Sequence, residues 1–148
     1  MWLLSFWLAA AFPAEAATGR VIKVLPMFRD TQGHEALSPS LYERDAYQFY
    51  LRQNPEKRSG MIFHVQWKAK GRPAARLLLR LELRGSAEGH LPTERILERT
   101  VEPGGWFSRW TSIPLESGPV KELGELSAWR ATLWEGDRLL GEQKSFLW

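Results

Sequence analysis

Two stretches of this chain alternate without a break between residues that avoid water and residues that seek it. In GMIFHVQWKAKG, residues 60–71, Met61, Phe63, Val65, Trp67 and Ala69 fall on one side, and Ile62, His64, Gln66, Lys68 and Lys70 on the other. In RLLLRLELR, residues 76–84, Leu77, Leu79, Leu81 and Leu83 oppose Leu78, Arg80, Glu82 and Arg84. A helix would scatter this pattern around its axis; a strand sends successive side chains to opposite faces. Both stretches are therefore predicted as strands with their odd-numbered residues inward. If the two pair antiparallel, matching odd with odd, a turn of three or five residues is expected around Gly71-Arg72-Pro73.

The same logic extends over most of the chain. RVIKVLPMF (20–28) reads as a first strand, with Pro26 marking an edge or bulge. TERILERTVE (93–102), WFSRWTSIPL (106–115), AWRATLW (128–134) and RLLGEQKSFLW (138–148) supply four more, separated by turn residues such as Pro103-Gly104-Gly105 and Glu135-Gly136-Asp137. In the last pair, Trp129, Ala131 and Leu133, then Leu140, Phe146 and Trp148, are expected inward, so the chain should be needed for packing to its end. ESGPVKELGELS (116–127) reads as a loop. One segment changes period: in SLYERDAYQFYLRQNP (40–55), Leu41, Tyr42, Ala46, Phe49 and Tyr50 recur at helical spacing. Ser40 and Glu43 form a capping box, and Asn54-Pro55 stops the run. The expected fold is all-β, a seven-stranded antiparallel sandwich with one short helix (40–54) after the first strand.

The closing segment AWRATLWEGDRLLGEQKSFLW resembles the final hairpin of bacterial exported immunoglobulin-like or fibronectin-III-like modules, of a secreted family to which no activity is assigned. Gly124, Trp129, Leu133, Gly136-Asp137, Leu140 and Phe146 carry the resemblance, which covers residues 124–148. The turn order is Gly-Asp where the modules have Asp-Gly, the inserted helix is foreign to them, and the cysteine pair of antibody domains is absent. The resemblance implies an Ig-like β-sandwich and nothing about function.

The first residues read as an export signal. Trp2–Phe12 is an uncharged apolar run, Pro13 breaks it, and Ala14-Glu15-Ala16 has the form of a cleavage site. No basic residue precedes the run, which puts the true start codon in question. The expected organisation is a signal peptide at 1–16 and a single domain at 17–148, periplasmic or extracellular and not membrane-spanning after cleavage. The absence of cysteine excludes disulfides and thiolate chemistry. The formal charge is +3, and loss of Glu15 with the signal makes the rest one unit more basic. In an exported protein that favours anionic glycans, head groups or acidic proteins over nucleic acid.

No nucleophile-elbow, phosphate-loop, dinucleotide or zincin motif is present, so no catalytic residue, metal or cofactor is expected. His34-Glu35 beside Asp30 offers ligand-type side chains in one loop, where a solvated loop is the expected role. Three surfaces stand as binding candidates. Lys68, Lys70, Arg76, Arg80 and Arg84 would share the outer face of the hairpin formed by the two alternating strands, either holding an anionic glycan or lipid head groups or simply countered by Glu94 and Glu98. Trp106 and Trp110 share one face of a strand and are expected to fill the core; exposed, they would make a stacking platform for sugar rings. Tyr42, Tyr47 and Tyr50 on the helix are expected to cover an open end of the sandwich, with a protein interface as the alternative. A terminal aromatic also suits an outer-membrane barrel, but charges on both faces of 93–102 and the polar helix argue against one.

The functional expectation is a non-catalytic secreted or periplasmic binding or structural module. A protein–protein or envelope-assembly adaptor comes first, and a carbohydrate-binding module using the tryptophans or the cationic face is the alternative. The partner is an unknown protein or a cell-envelope glycan.

Overall fold

A computed structural model describes residues 16–148; the signal sequence expected at 1–16 lies, but for its last residue, outside them. The described residues form seven strands in two antiparallel sheets and two α-helices. Sheet 1 holds β1 (Thr18–Asp30), β2 (Arg58–Lys70) and β5 (Arg109–Glu116) in the order β1-β2-β5. Sheet 2 holds β3 (Leu77–Ser86), β4 (Pro92–Val101), β6 (Glu125–Glu135) and β7 (Arg138–Lys144) in the order β4-β3-β6-β7. Helix α1 spans Leu41–Gln53 and α2 spans Ser117–Leu123. None of the described helices is long and apolar enough to cross a membrane.

The core is built from the alternation. Met61, Phe63, Val65, Trp67 and Ala69 of β2 and Leu77, Leu79, Leu81 and Leu83 of β3 are all buried in one cluster, joined by Ile113, Leu115, Ala131 and Leu133. Burying a side chain of this size removes about 1.5–3 kcal/mol worth of apolar surface from water, so these residues dominate the fold's stability. Trp67 seats its indole in that cluster and donates its N–H to Thr111 Oγ1 at 2.8 Å, which satisfies its one polar atom.

The hairpin expected from these two strands does not exist. β2 and β3 belong to different sheets, and Gly71–Arg76 carries the chain across between them. Alternation fixes which face of a strand is buried; it does not fix whether the facing apolar row lies beside it or across the core. Here the two rows meet across the core.

Two bulges also shift the expected parity. Between Val21 and Lys23 the register of β1 on β2 slips, so that Val21 and Val24 both enter the core. Between β6 and β7 the register slips at Leu140, with Leu133 opposite Gly141 and Trp134 opposite Leu139. Beyond that bulge, even-numbered residues follow the outer face. The expected burial of the chain end is thereby overturned: β7 stops at Lys144, Phe146 is 100% exposed, and Leu147 is exposed. Trp148 lies on the outer face of sheet 2, its ring 3.8 Å from the Arg84 guanidinium carbon. Gly141 permits β7 to close on β1, since a Cβ there would sit 2.5 Å from Arg20 Cα.

The segment expected as a loop before β6 contains α2. Pro119 sits in its first turn, where a backbone N–H has no intrahelical acceptor, and Leu123 is buried. Helix α1 is where the sequence places it, with Ser40 Oγ accepting from Glu43 N–H at 3.4 Å. Its docking face is not the predicted one. Leu51 is fully buried and Tyr47 and Gln48 turn toward β1, while Leu41, Tyr42 and Phe49 face outward.

Candidate functional site

The strand register decides which of the expected surface residues meet. Near the start of β1, Thr18, Arg20 and Lys23 lie opposite Lys70, Lys68 and Gln66 of β2, and Gln66 lies opposite Trp110 of β5. Val21, Trp67 and Ala69 point into the core, so these partners share the outer face of sheet 1. Arg20 and Lys68 are direct cross-strand neighbours of like charge, an unfavourable arrangement by a fraction of a kcal/mol, about 0.2–1 kcal/mol. Arg20, Lys23, Lys68 and Lys70 make no ion pair among the described residues.

The tryptophans are not core, contrary to the expectation. Trp106 lies in the turn before β5 and is 81% exposed; Trp110 is on the outer face of β5 and is 50% exposed. The strand begins only at Arg109, because the three residues after Gly105 (φ 72°) complete the turn that Pro103-Gly104-Gly105 opens. Lys70 Nζ stands 5.3 Å from the centre of the Trp106 ring. Ser108 accepts from Gln66 Nε2 at 3.0 Å, which ties this turn to β2. Beside Trp106 is a cleft of about 400 Å³ lined by Thr18, Ala69, Lys70, Gly71, Pro103 and Gly105, with Ala16, the last residue of the expected signal, at its edge. A second hollow of about 300 Å³, formed by Thr18, Gly19, Arg20, Lys68 and Lys70, shares two lining residues with it.

The remaining cations of the expected hairpin face are elsewhere. Arg80 and Arg84 project from sheet 2, where Arg80 Nε meets Glu98 at 2.7 Å and Arg84 Nε lies 3.7 Å from Glu94. These are the two glutamates the sequence offered as counter-charges. Arg76 is exposed in the crossing segment. Five residues read as one face are thus divided between two sheets and a connection.

The tyrosines of α1 play unequal parts. Tyr42 is 83% exposed, while Tyr47 and Tyr50 stack with ring centres 5.9 Å apart. Tyr47 donates its hydroxyl to Asp30 Oδ2 at 2.6 Å, and Asp30 Oδ1 accepts the N–H groups of Gln32 and His34 at 2.9 and 2.8 Å. Burial by itself raises the Asp30 carboxyl, but these donors outweigh it and hold the group below the usual carboxylate range. The same hydrogen bond, with burial, pushes the Tyr47 phenol up to about 12. The helix packs along β1 instead of over an open end, and Asp30 is a buried structural hub where a solvated loop was expected. Among the described residues, no three histidine or acidic side chains cluster closely enough to hold a metal ion.

One constellation escaped the sequence reading. His64 Nδ1 lies 2.7 Å from Ser112 Oγ, and its Nε2 lies 2.5 Å from Glu35 Oε2. Serine, imidazole and carboxylate in line are the parts of a nucleophilic relay. None of the three lines either hollow described above; the two contacts tie the loop before α1 to β2 and β5. Only the β2–β5 register, which places His64 opposite Ser112, reveals it. Compared with protein-family models and with curated protein sequences, the chain matches none.

Proposed function

We propose that the protein is a non-catalytic carbohydrate-binding module of the secreted or periplasmic compartment, with its ligand face on the outside of sheet 1. The observation that carries this reading is Trp106, exposed at the rim of a cleft with the Lys70 ammonium beside its ring. An indole in water offers a flat apolar face to the C–H side of a sugar ring, and adjacent ammonium and backbone groups bond its hydroxyls. Export rests on the apolar run and the A-x-A site at residues 1–16. The Ig-like reading of the fold is supported by the strand orders β1-β2-β5 and β4-β3-β6-β7. They differ from the constant immunoglobulin arrangement only in that the fourth strand joins the sheet of the third; this favours the fibronectin-III-like side of the resemblance. The test is titration with a panel of envelope oligosaccharides followed by tryptophan fluorescence. Trp106→Ala and Trp110→Ala should weaken binding, and unchanged binding in both would sink the platform.

An adaptor role is a second reading, favoured by the outward apolar side chains of α1 and its approach, Leu37, Leu41, Tyr42 and Phe49. Its occupant would be an apolar segment of a partner protein. A photo-crosslinker placed at Phe49 should then give one adduct that Tyr42→Asp removes; a blank gel from the native envelope would discard this reading.

A further inference from the structure

The outward cations of sheet 2 are neutralised almost one by one. Arg80 has Glu98, Arg84 has Glu94, and Arg130 has both Glu142 at 2.7 Å and Glu82 at 3.7 Å. The outer face of sheet 1 breaks this pattern. Arg20, Lys23, Lys68 and Lys70 stand together with no acidic partner among the described residues, and Arg20 directly opposes Lys68. Glu35, an acidic side chain that reaches this face, is spent on His64 farther along β2. A fold that balances one sheet and leaves the other with four bare charges keeps an unfavourable field there. Water and counter-ions screen that field, and a polyanion would neutralise it.

Resting on the carbohydrate reading, we infer that the ligand is an acidic glycan, a polymer carrying carboxylate, sulfate or phosphate groups. It seats one ring against Trp106 in the cleft and runs its charges along β2 over Lys70 and Lys68 toward Trp110, with Arg20 of β1 flanking Lys68. Geometry supports a chain over a single small anion. Residues two apart on a strand are spaced about 6.6–6.8 Å, and neighbouring strands about 4.8 Å. The cations therefore form a ladder longer than one sugar unit, with an indole toward each end. A cleft of about 400 Å³ beside an exposed indole has room for a sugar ring, which favours a glycan over a planar head-group layer.

The experiment compares the protein, freed of residues 1–16, against an oligogalacturonate and a neutral galactose oligomer of the same length, by calorimetry at low and high salt. The acidic oligomer should bind at least about tenfold more tightly, and this advantage should shrink with salt. Lys68→Glu with Lys70→Glu should abolish the preference while near-ultraviolet circular dichroism stays native, and Trp106→Ala should weaken both oligomers. Equal binding of the two oligomers would overturn the acidic assignment and leave the carbohydrate reading standing. Binding of neither would remove both. Acidic binding that ignores Trp106→Ala would reduce the site to general polyanion attraction and overturn the seating proposed here. Capture of the protein by anionic phospholipid vesicles, without affinity for the oligogalacturonate, would overturn it in favour of a membrane surface.

Discussion

Gln48 stands beside Phe28 as a neighbouring strand would. The Phe28 N–H donates to Gln48 Oε1 at 2.7 Å, and Gln48 Nε2 donates to the Phe28 carbonyl at 2.8 Å. One side-chain amide thus occupies both backbone groups on the free edge of β1, and the same Nε2 also donates to the Glu35 carbonyl at 2.8 Å. An unpaired edge invites pairing with other chains, so a helix docked there protects the sheet.

Replacing Gln48 by alanine should therefore loosen α1 from β1. The expected cost is about 1–3 kcal/mol in urea unfolding, from donors and acceptors left without partners. Amide exchange at Phe28 should accelerate. Gln48→Glu keeps the acceptor and loses the donor, and should fall between the two. An alanine variant with native exchange at Phe28 would mean the helix does not hold the edge.

The Tyr47–Asp30 pair makes stability depend on pH at both ends of the scale. Because the Asp30 carboxyl is held below its ordinary value, its contribution is complete above about pH 4 and is lost as pH falls through the depressed value. Because the Tyr47 phenol is pushed up to about 12, its contribution is complete below about pH 10 and is lost as pH rises toward about 12. Tyr47→Phe should cost about 1.5–3 kcal/mol at neutral pH, as expected for a hydrogen bond to a charged group. The difference between the two proteins should shrink in both extremes. A difference that stays flat from pH 3 to pH 12 would contradict the pairing.

Removing Phe146–Trp148 should leave the domain folded. Phe146 and Leu147 face water, and the Trp148–Arg84 contact is the principal loss, about 0.5–1 kcal/mol at an exposed site. The midpoint of thermal unfolding should drop by about 2–4 °C at most. Leu81→Ala, in contrast, should cost about 2–5 kcal/mol, since Leu81 is fully buried between the sheets. A truncated protein that fails to fold would return the terminal aromatics to the core.

Gly124 ends α2 with φ 75° and ψ −143°, and a Cβ there would lie 2.1 Å from the Ser86 carbonyl oxygen. Gly124→Ala should be destabilising on both counts, backbone conformation and overlap, each about 1–3 kcal/mol. Gly118→Ala in the same helix meets nothing within 4 Å and serves as the control, with unchanged or slightly higher stability. Equal melting of the two variants would show that the α2–β6 junction is not tightly built.

The candidate site was legible in its parts and not in its assembly. Trp106, Trp110, Lys68 and Lys70 all stood out in the sequence, but as two unrelated surfaces. Arg20 and Lys23, which complete the face, looked like ordinary strand residues because nothing local marks which strand lies beside β2. The His64–Ser112–Glu35 array was invisible for the same reason: its members are 29 and 48 residues apart.

From the sequence alone came the inward rows of β2 and β3, the position and N-cap of α1, and the count of strands. Each of these follows from sterics and solvation acting within a few residues. The tertiary structure decided the rest: that β2 faces β3 across the core, that a bulge at Leu140 turns the last aromatics outward, and that Lys70 meets Trp106. Those outcomes depend on which apolar rows bury one another across long separations in the chain. A period of two says only that a row is buried, never against what.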